Sequence, residues 1–222
     1  MRKLNKDEKI LAKKYKAWLD RLETDGKDHP EYSSKHEFYI DVVANLLWIQ
    51  DGLCAYTEQF LFDHKELSDG NWENGRFGKG KFDFYGHLEH YNESLKKKKG
   101  WLWSNLFVVQ ADVNNKKGSR SVKYALKPDV DDYDPFYLLE YSFKEHRFLP
   151  NSNRNFKLQE DILNDINVLG LNYQPLIQDR KEQLNTLVEE VKLKQKTLEQ
   201  VRESLREYYT AFEMIVMDLN LE

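Results

Sequence analysis

Cysteine is nearly missing from this 222-residue chain: Cys54 stands alone, which excludes an internal disulfide and a cysteine-rich zinc site. Long apolar runs are missing too. No stretch approaches the ~20 residues that a membrane-spanning helix needs, and Met1 to Lys9 holds no apolar core of the signal-peptide kind. A soluble, cytoplasmic protein with no membrane partner is the expectation. Neither sign of charge dominates, because 34 basic residues face 38 acidic ones for a net −4. As an average, that charge votes weakly against a nucleic-acid binder. What the chain has is bulk. It is 40% hydrophobic and 14% aromatic, enough to offset the entropy that keeps less apolar chains disordered. Its length suits one domain, or one domain with an appendage.

The average conceals a segregation. Nine basic residues lie between Ser94 and Lys127 (Lys96, Lys97, Lys98, Lys99, Lys116, Lys117, Arg120, Lys123 and Lys127), against one acid, Asp112. That segment carries +8 and leaves −12 to the rest of the chain. A basic segment inside an acidic protein is the footprint of a local polyanion site, since each phosphate contact releases counterions. Lys96–Lys99 alone reads equally well as a solvated loop.

Periodicity predicts helices over Asn5–Leu22 and Glu37–Gln50, the second apolar enough to be buried. Asp69–Lys81, with Gly70, Gly75, Gly78 and Gly80, reads as a loop. Phe82–Tyr91 and Leu102–Val109 read as strands, and Ala111–Leu126 as polar and basic, beginning as a helix. Tyr137–Tyr141 and Arg147–Leu149 suit a hairpin. From Gln178 onward Leu184, Leu187, Val191, Leu198, Val201, Leu205, Tyr208, Phe212, Ile215 and Leu219 follow steps of three and four, interrupted at Lys194. That seam predicts one long C-terminal heptad helix, packed on the chain's own helices or on a second subunit as a homodimer.

Three short pieces carry the chemistry: Gly86-His-Leu-Glu-His90, Trp103-Ser-Asn-Leu106 and Val113-Asn-Asn-Lys-Lys-Gly118. Each is weak alone. Together they suit a metal-dependent phosphodiesterase, which needs a base for water, a hard divalent cation and basic residues for the scissile backbone. Glu89 and an asparagine are hard ligands for Mg²⁺ or Mn²⁺, and His90 titrates in the range of a base. His87 reads as a surface histidine.

In this order the pieces resemble an HNH endonuclease, specifically the HNH subunit of Septu-type and retron-linked antiphage systems. Gly52-Leu-Cys-Ala-Tyr-Thr-Glu58 resembles the family's first knuckle, Leu88-Glu-His-Tyr91 its Glu-His strand, and Trp103-Ser-Asn-Leu106 its central asparagine. Gln110-Ala-Asp-Val-Asn-Asn-Lys-Lys-Gly118 resembles its final helix, and Asp134-Pro-Phe and Val168 to Arg180 match further features. The resemblance implies an α+β fold: a ββα-metal (His-Me finger) core embedded in a mainly helical domain. It divides the chain into a helical part (1–51), a nuclease core (52–175) and the C-terminal helix (176–222). His90 is then the general base, Asn105 braces the loop and orients His90, and Glu89 and Asn114 hold one Mg²⁺ or Mn²⁺. Asn115 replaces Asn114 if the helix is shifted by one. Lys117 falls near the phosphates, with Lys96–Lys99, Lys116, Arg120 and Lys123 as further nucleic-acid contacts. The implied substrate is DNA, with RNA open, and an ATPase subunit is the implied partner.

One departure matters. The four positions of the family's structural zinc read Cys54, Thr57, Gln110 and Val113, so no structural zinc is expected. Packing should replace it, with Val113, Val109 and Phe60 as candidates. The same loss opens an alternative, a catalytically decayed subunit that binds nucleic acid or a partner protein.

Overall fold

A computed structural model describes residues 1–7, 10–67, 69–78 and 82–221. Its two N-terminal helices are α1 (Lys13–Thr24) and α2 (Tyr39–Ile49). The apolar content of α2 has the expected result, burial of Val42, Val43, Ala44, Leu46 and Leu47. Helix α1 begins later than the periodicity suggests, and Glu8 and Lys9 of the expected helix lie outside the described residues. Asn45 explains the late start. Its side-chain oxygen accepts from the amides of Leu11 (2.9 Å) and Ala12 (3.0 Å), holding that segment out of helical geometry. The first residues instead thread into the core. Met1 and Leu4 are buried, the α-amino group of Met1 lies 2.9 Å from the buried Glu58 carboxylate, and Lys6 donates to the carbonyl of Leu106 at 2.9 Å.

Part of the expected glycine loop is a small hairpin, β1 (Trp72–Glu73) with β2 (Arg76–Phe77). Asn74 and Gly75 both have positive φ, the backbone that a two-residue hairpin turn demands. Gly80 and Lys81 of that loop lie outside the described residues.

The centre of the chain is a mixed α+β unit. Strand β3 (His87–His90) pairs antiparallel with β4 (Leu106–Val109), in a register that sets His90 against Leu106 and His87 against Val109. Between them lies α3 (Lys96–Lys99), and α4 (Ala111–Lys117) follows β4 and packs back on β3. The side chain of Gln50 acts as an extra strand partner for β4, accepting from Val108 N (3.0 Å) and donating to Val108 O (2.8 Å). Gln110 then caps α4 by accepting from the amides of Asp112 and Val113. Gly118 ends it at φ +50° and ψ −132°, a conformation open to glycine alone.

Three of the four positions that correspond to the family's zinc ligands use three different devices. Cys54 is buried and its sulfur accepts from Gln110 N at 3.3 Å, Gln110 caps the helix, and Val113 packs in the core. Val109 is buried with it. Phe60 is not a replacement, being 41% exposed.

The remainder runs α5 (Pro135–Leu138), β5 (Leu139–Ser142), β6 (Arg147–Pro150), α6 (Phe156–Val168), α7 (Gln174–Lys192), α8 (Leu198–Ser204) and α9 (Tyr209–Leu219). Strands β5 and β6 form the expected hairpin. The single long C-terminal helix is corrected: its seam is broken into α7, α8 and α9. Lys194 and Tyr208 adopt left-handed backbone at φ +54° and +59°, and Thr197 opens α8 with a capping box to Gln200. The buried Glu58 carboxylate accepts from Thr210 N at 2.8 Å and so caps α9. Leu184, Val191, Val201, Tyr208, Phe212 and Ile215 of the expected seam are buried in the chain's own core. Those six positions are therefore occupied within the chain's own fold. One hydrophobic cluster draws residues from all three expected segments, from Met1 to Val216.

Phe212 is fully buried at the heart of α9. Replacing it with alanine should cost about 3–5 kcal/mol of unfolding free energy, measured by urea denaturation with tryptophan fluorescence. A loss well under about 1 kcal/mol, the level of an ordinary surface change, would contradict the folded-back arrangement.

Candidate active site in the cleft between β3 and α4

A strand alternates its side chains and a helix repeats every three to four residues. His87 and Glu89 therefore share one face of β3, and Asn114 and Lys117 share one face of α4. The four pair off across the contact. Lys117 Nζ lies 2.5 Å from Glu89 Oε1, and Asn114 Nδ2 lies 3.2 Å from His87 Nδ1. Lys117 also donates to the main-chain carbonyl of His90 at 2.9 Å.

His90 projects from the other face of the strand. Its Nε2 lies 2.8 Å from the carbonyl of Gly100. A carbonyl only accepts, so Nε2 carries the proton and Nδ1 keeps the lone pair. The ring of Tyr32 meets His90 edge-on, with centroids 4.7 Å apart and planes at 84°. Burial holds the imidazole pKa below its ordinary 6.5, against the opposing pull of the hydrogen bond to the Gly100 carbonyl, and the nearby Lys96 and Lys117 lower it further. The neutral, proton-accepting form is thus the resident one at neutral pH.

Asn105 sits at the entrance to β4 and is buried. Its side chain clips Asn92 twice, accepting from Asn92 N at 2.8 Å and donating to Asn92 O at 3.0 Å. It does not touch the His90 ring. It acts on the backbone two residues beyond, where the chain leaves β3.

Tyr32, Tyr39, His87, Glu89, His90 and Asn114 line one cleft of about 440 Å³, with Lys96, Asn115 and Gly118 at its edge. A second, adjoining cleft shares Tyr32, Glu93 and Lys96 and adds Lys97. Burial pushes the Glu89 pKa above the usual carboxylate range, and the Lys117 ammonium pulls against it. Although that ammonium is at ion-pair distance, Glu89 Oε1 makes no hydrogen bond of regular geometry. The oxygens of Glu89 and Asn114 are the hard donors that Mg²⁺ or Mn²⁺ takes. Among the described residues, no three His, Cys, Asp or Glu side chains gather as a metal cluster.

The nucleic-acid contacts expected from the basic segment divide sharply. Lys117 is corrected: it is 1% exposed and spent on Glu89 and His90, so it cannot meet a phosphate. Arg120 donates to the carbonyls of Lys116, Lys117, Asn167 and Val168, tying the ends of α4 and α6 together. Lys99 pairs with Glu23, Lys96 with Glu93, and Lys116 lies over the Tyr173 ring. Lys97, Lys98 and Lys123 are exposed, with no partner among the described residues. Two contributors escaped the sequence reading. His87 faces Asn114 in the cleft, which period-two alternation from Glu89 could have signalled. Tyr32 reaches His90 from a loop far back in the chain, and no local pattern marks it.

Neither a protein-family model nor a curated protein matches the chain.

Removing the Lys117 charge tests its internal role. Lys117→Met should cost about 3–5 kcal/mol, the usual penalty for leaving one member of a buried ion pair behind. The double variant with Glu89→Gln should recover part of that loss. Lys117→Met at wild-type stability would return Lys117 to the surface contacts.

Proposed function

We propose that the chain is an HNH endonuclease that hydrolyses phosphodiester bonds of DNA with one Mg²⁺ or Mn²⁺ ion, in antiphage defence or restriction. The observation that carries the reading is convergence. Glu89 and His90 of β3 and Asn114 of α4 line a single cleft, while Asn105 ties down the backbone beside them.

In this reading His90 Nδ1 takes a proton from the attacking water, while Nε2–H on the Gly100 carbonyl fixes the ring and supports the cation that forms. Glu89 and Asn114 supply oxygen ligands. A divalent ion bound there stabilises the charge that develops on the phosphate and the leaving oxygen. Lys97, Lys98 and Lys123 hold flanking phosphates, positioning the strand without reading its sequence. An ATPase partner subunit completes the proposal.

The decayed-subunit reading is favoured by one observation, the Lys117 ammonium on the carboxylate that the metal would use. In it the rim lysines bind nucleic acid or a partner and nothing is cut.

Purified protein with Mn²⁺ or Mg²⁺ should nick plasmid DNA, and His90→Ala should abolish nicking while the chain stays folded, at a melting temperature lowered by the loss of a buried, hydrogen-bonded side chain. The pH profile adds a sign. The base works unprotonated and its pKa lies below 6.5, so the rate should fall only as pH drops through that lower value and should be level near neutrality. Undiminished cutting by His90→Ala, or an acid limb centred above 6.5, would sink the assignment of the base. No cutting by the wild-type chain, with DNA binding retained, would favour decay.

A further inference from the structure

We propose that His87 is a ligand of the divalent cation, forming with Asn114 a nitrogen–oxygen pair in the cleft and biasing the site toward Mn²⁺ over Mg²⁺. The proposal rests on the metal-dependent reading above and adds a ligand to it.

The geometry begins with the 3.2 Å contact between His87 Nδ1 and the Asn114 carboxamide. The oxygen and nitrogen of an asparagine amide exchange places by a half-turn of the group, with almost no change in shape. After that turn, Asn114 Oδ1 and His87 Nδ1 face one another between two side chains that both line the cleft. Metal–ligand bonds of about 2.1 Å place neighbouring donors of an octahedron about 3.0 Å apart. The observed separation is close to that edge. The tautomer fits as well. To accept from Asn114, the imidazole must keep its lone pair on Nδ1, the form in which it coordinates.

The strand explains why His87 is the available partner. Glu89 occupies the same face two residues on, but its carboxylate is met by Lys117, whose positive charge opposes a cation beside it. Among the described residues no ammonium is paired with His87: its partner is the neutral Asn114, and both side chains line the cleft. The backbone leading into His87 is closely packed. A Cβ at the preceding Gly86 would lie 2.7 Å from Val109 O, so the two backbones are in close contact where His87 leaves the strand. Nitrogen ligation also has a chemical consequence. Mn²⁺, at the weak end of the transition series, still takes an imidazole more readily than Mg²⁺, which prefers oxygen and keeps its waters.

Mn²⁺ binding by the full chain, followed by titration calorimetry and by electron spin-echo modulation, separates the outcomes. Wild-type protein should bind Mn²⁺ more tightly than Mg²⁺ and show modulation from a coordinated imidazole nitrogen. That signal should persist in His90→Ala and vanish in His87→Ala. His87→Ala should weaken Mn²⁺ binding by about tenfold or more, since losing even a supporting partner of a ligand costs about that much, and should change Mg²⁺ binding little. His87 is exposed, so the melting temperature should hold, and His87→Gln provides a second variant. If wild type and His87→Ala bind Mn²⁺ alike, with Asn114→Ala impaired, this proposal fails while the metal-dependent reading stands. If wild-type protein takes no Mn²⁺ at millimolar concentration, both fail.

Discussion

The ammonium of Lys117 is the constraint on which the centre of the molecule depends. It is buried between the Glu89 carboxylate and the His90 carbonyl, and so it joins α4 to β3 at the point where the proposed chemistry sits. Removing either charge alone would leave the other in a low-dielectric setting, where the cost runs to several kcal/mol. The pair therefore fixes the strand–helix distance more firmly than apolar contact alone. It also sets the facing of the remaining polar groups. With Glu89 held by Lys117, the next turn of α4 brings Asn114 to His87. The other face of β3 turns His90 toward Gly100 and Tyr32.

Much of that centre was legible in the sequence because the signals were local. A β-branched strand, a capping glutamine and a terminal glycine mark β4 and α4, and the Glu-His and Asn-Asn motifs hold four of the side chains that line the cleft, with Asn105 outside it. The heptad seam misled for a physical reason. Steps of three and four report a shared apolar face, and three short helices folded on one core satisfy that pattern as well as one long helix. The breaks at Lys194 and Tyr208 rest on left-handed backbone and on a distant carboxylate, Glu58, which no local window contains. Asn74-Gly75 was the opposite case, a hairpin signal present in the chain but submerged among neighbouring glycines. The late start of α1 depended on Asn45, a contact between distant residues of the kind that periodicity cannot report.

Charge counting shows the same division between what a list of residues holds and what a fold does with it. The +8 segment is not a uniform patch. One of its cations is internal, one ties two helix ends, and others are neutralised by Glu23 or Glu93. What faces solvent without a partner is Lys97 and Lys98 on one side and Lys123 on the other.

That division separates attraction from chemistry. The floor of the cleft holds an ion pair whose charges cancel and an imidazole kept neutral by burial, so it presents little net field to an approaching polyanion. Attraction must come from the rim, where exposed lysines act over about a Debye length and weaken as salt rises. A neutral floor has its own use. A protonated histidine would be attracted to phosphate yet unable to accept a proton, so burying the imidazole sacrifices a little attraction to keep the base. On the proposed reading, the positive charge needed as a phosphodiester breaks would be supplied by an ion, with Asn114, His87 and Glu89 as its donors.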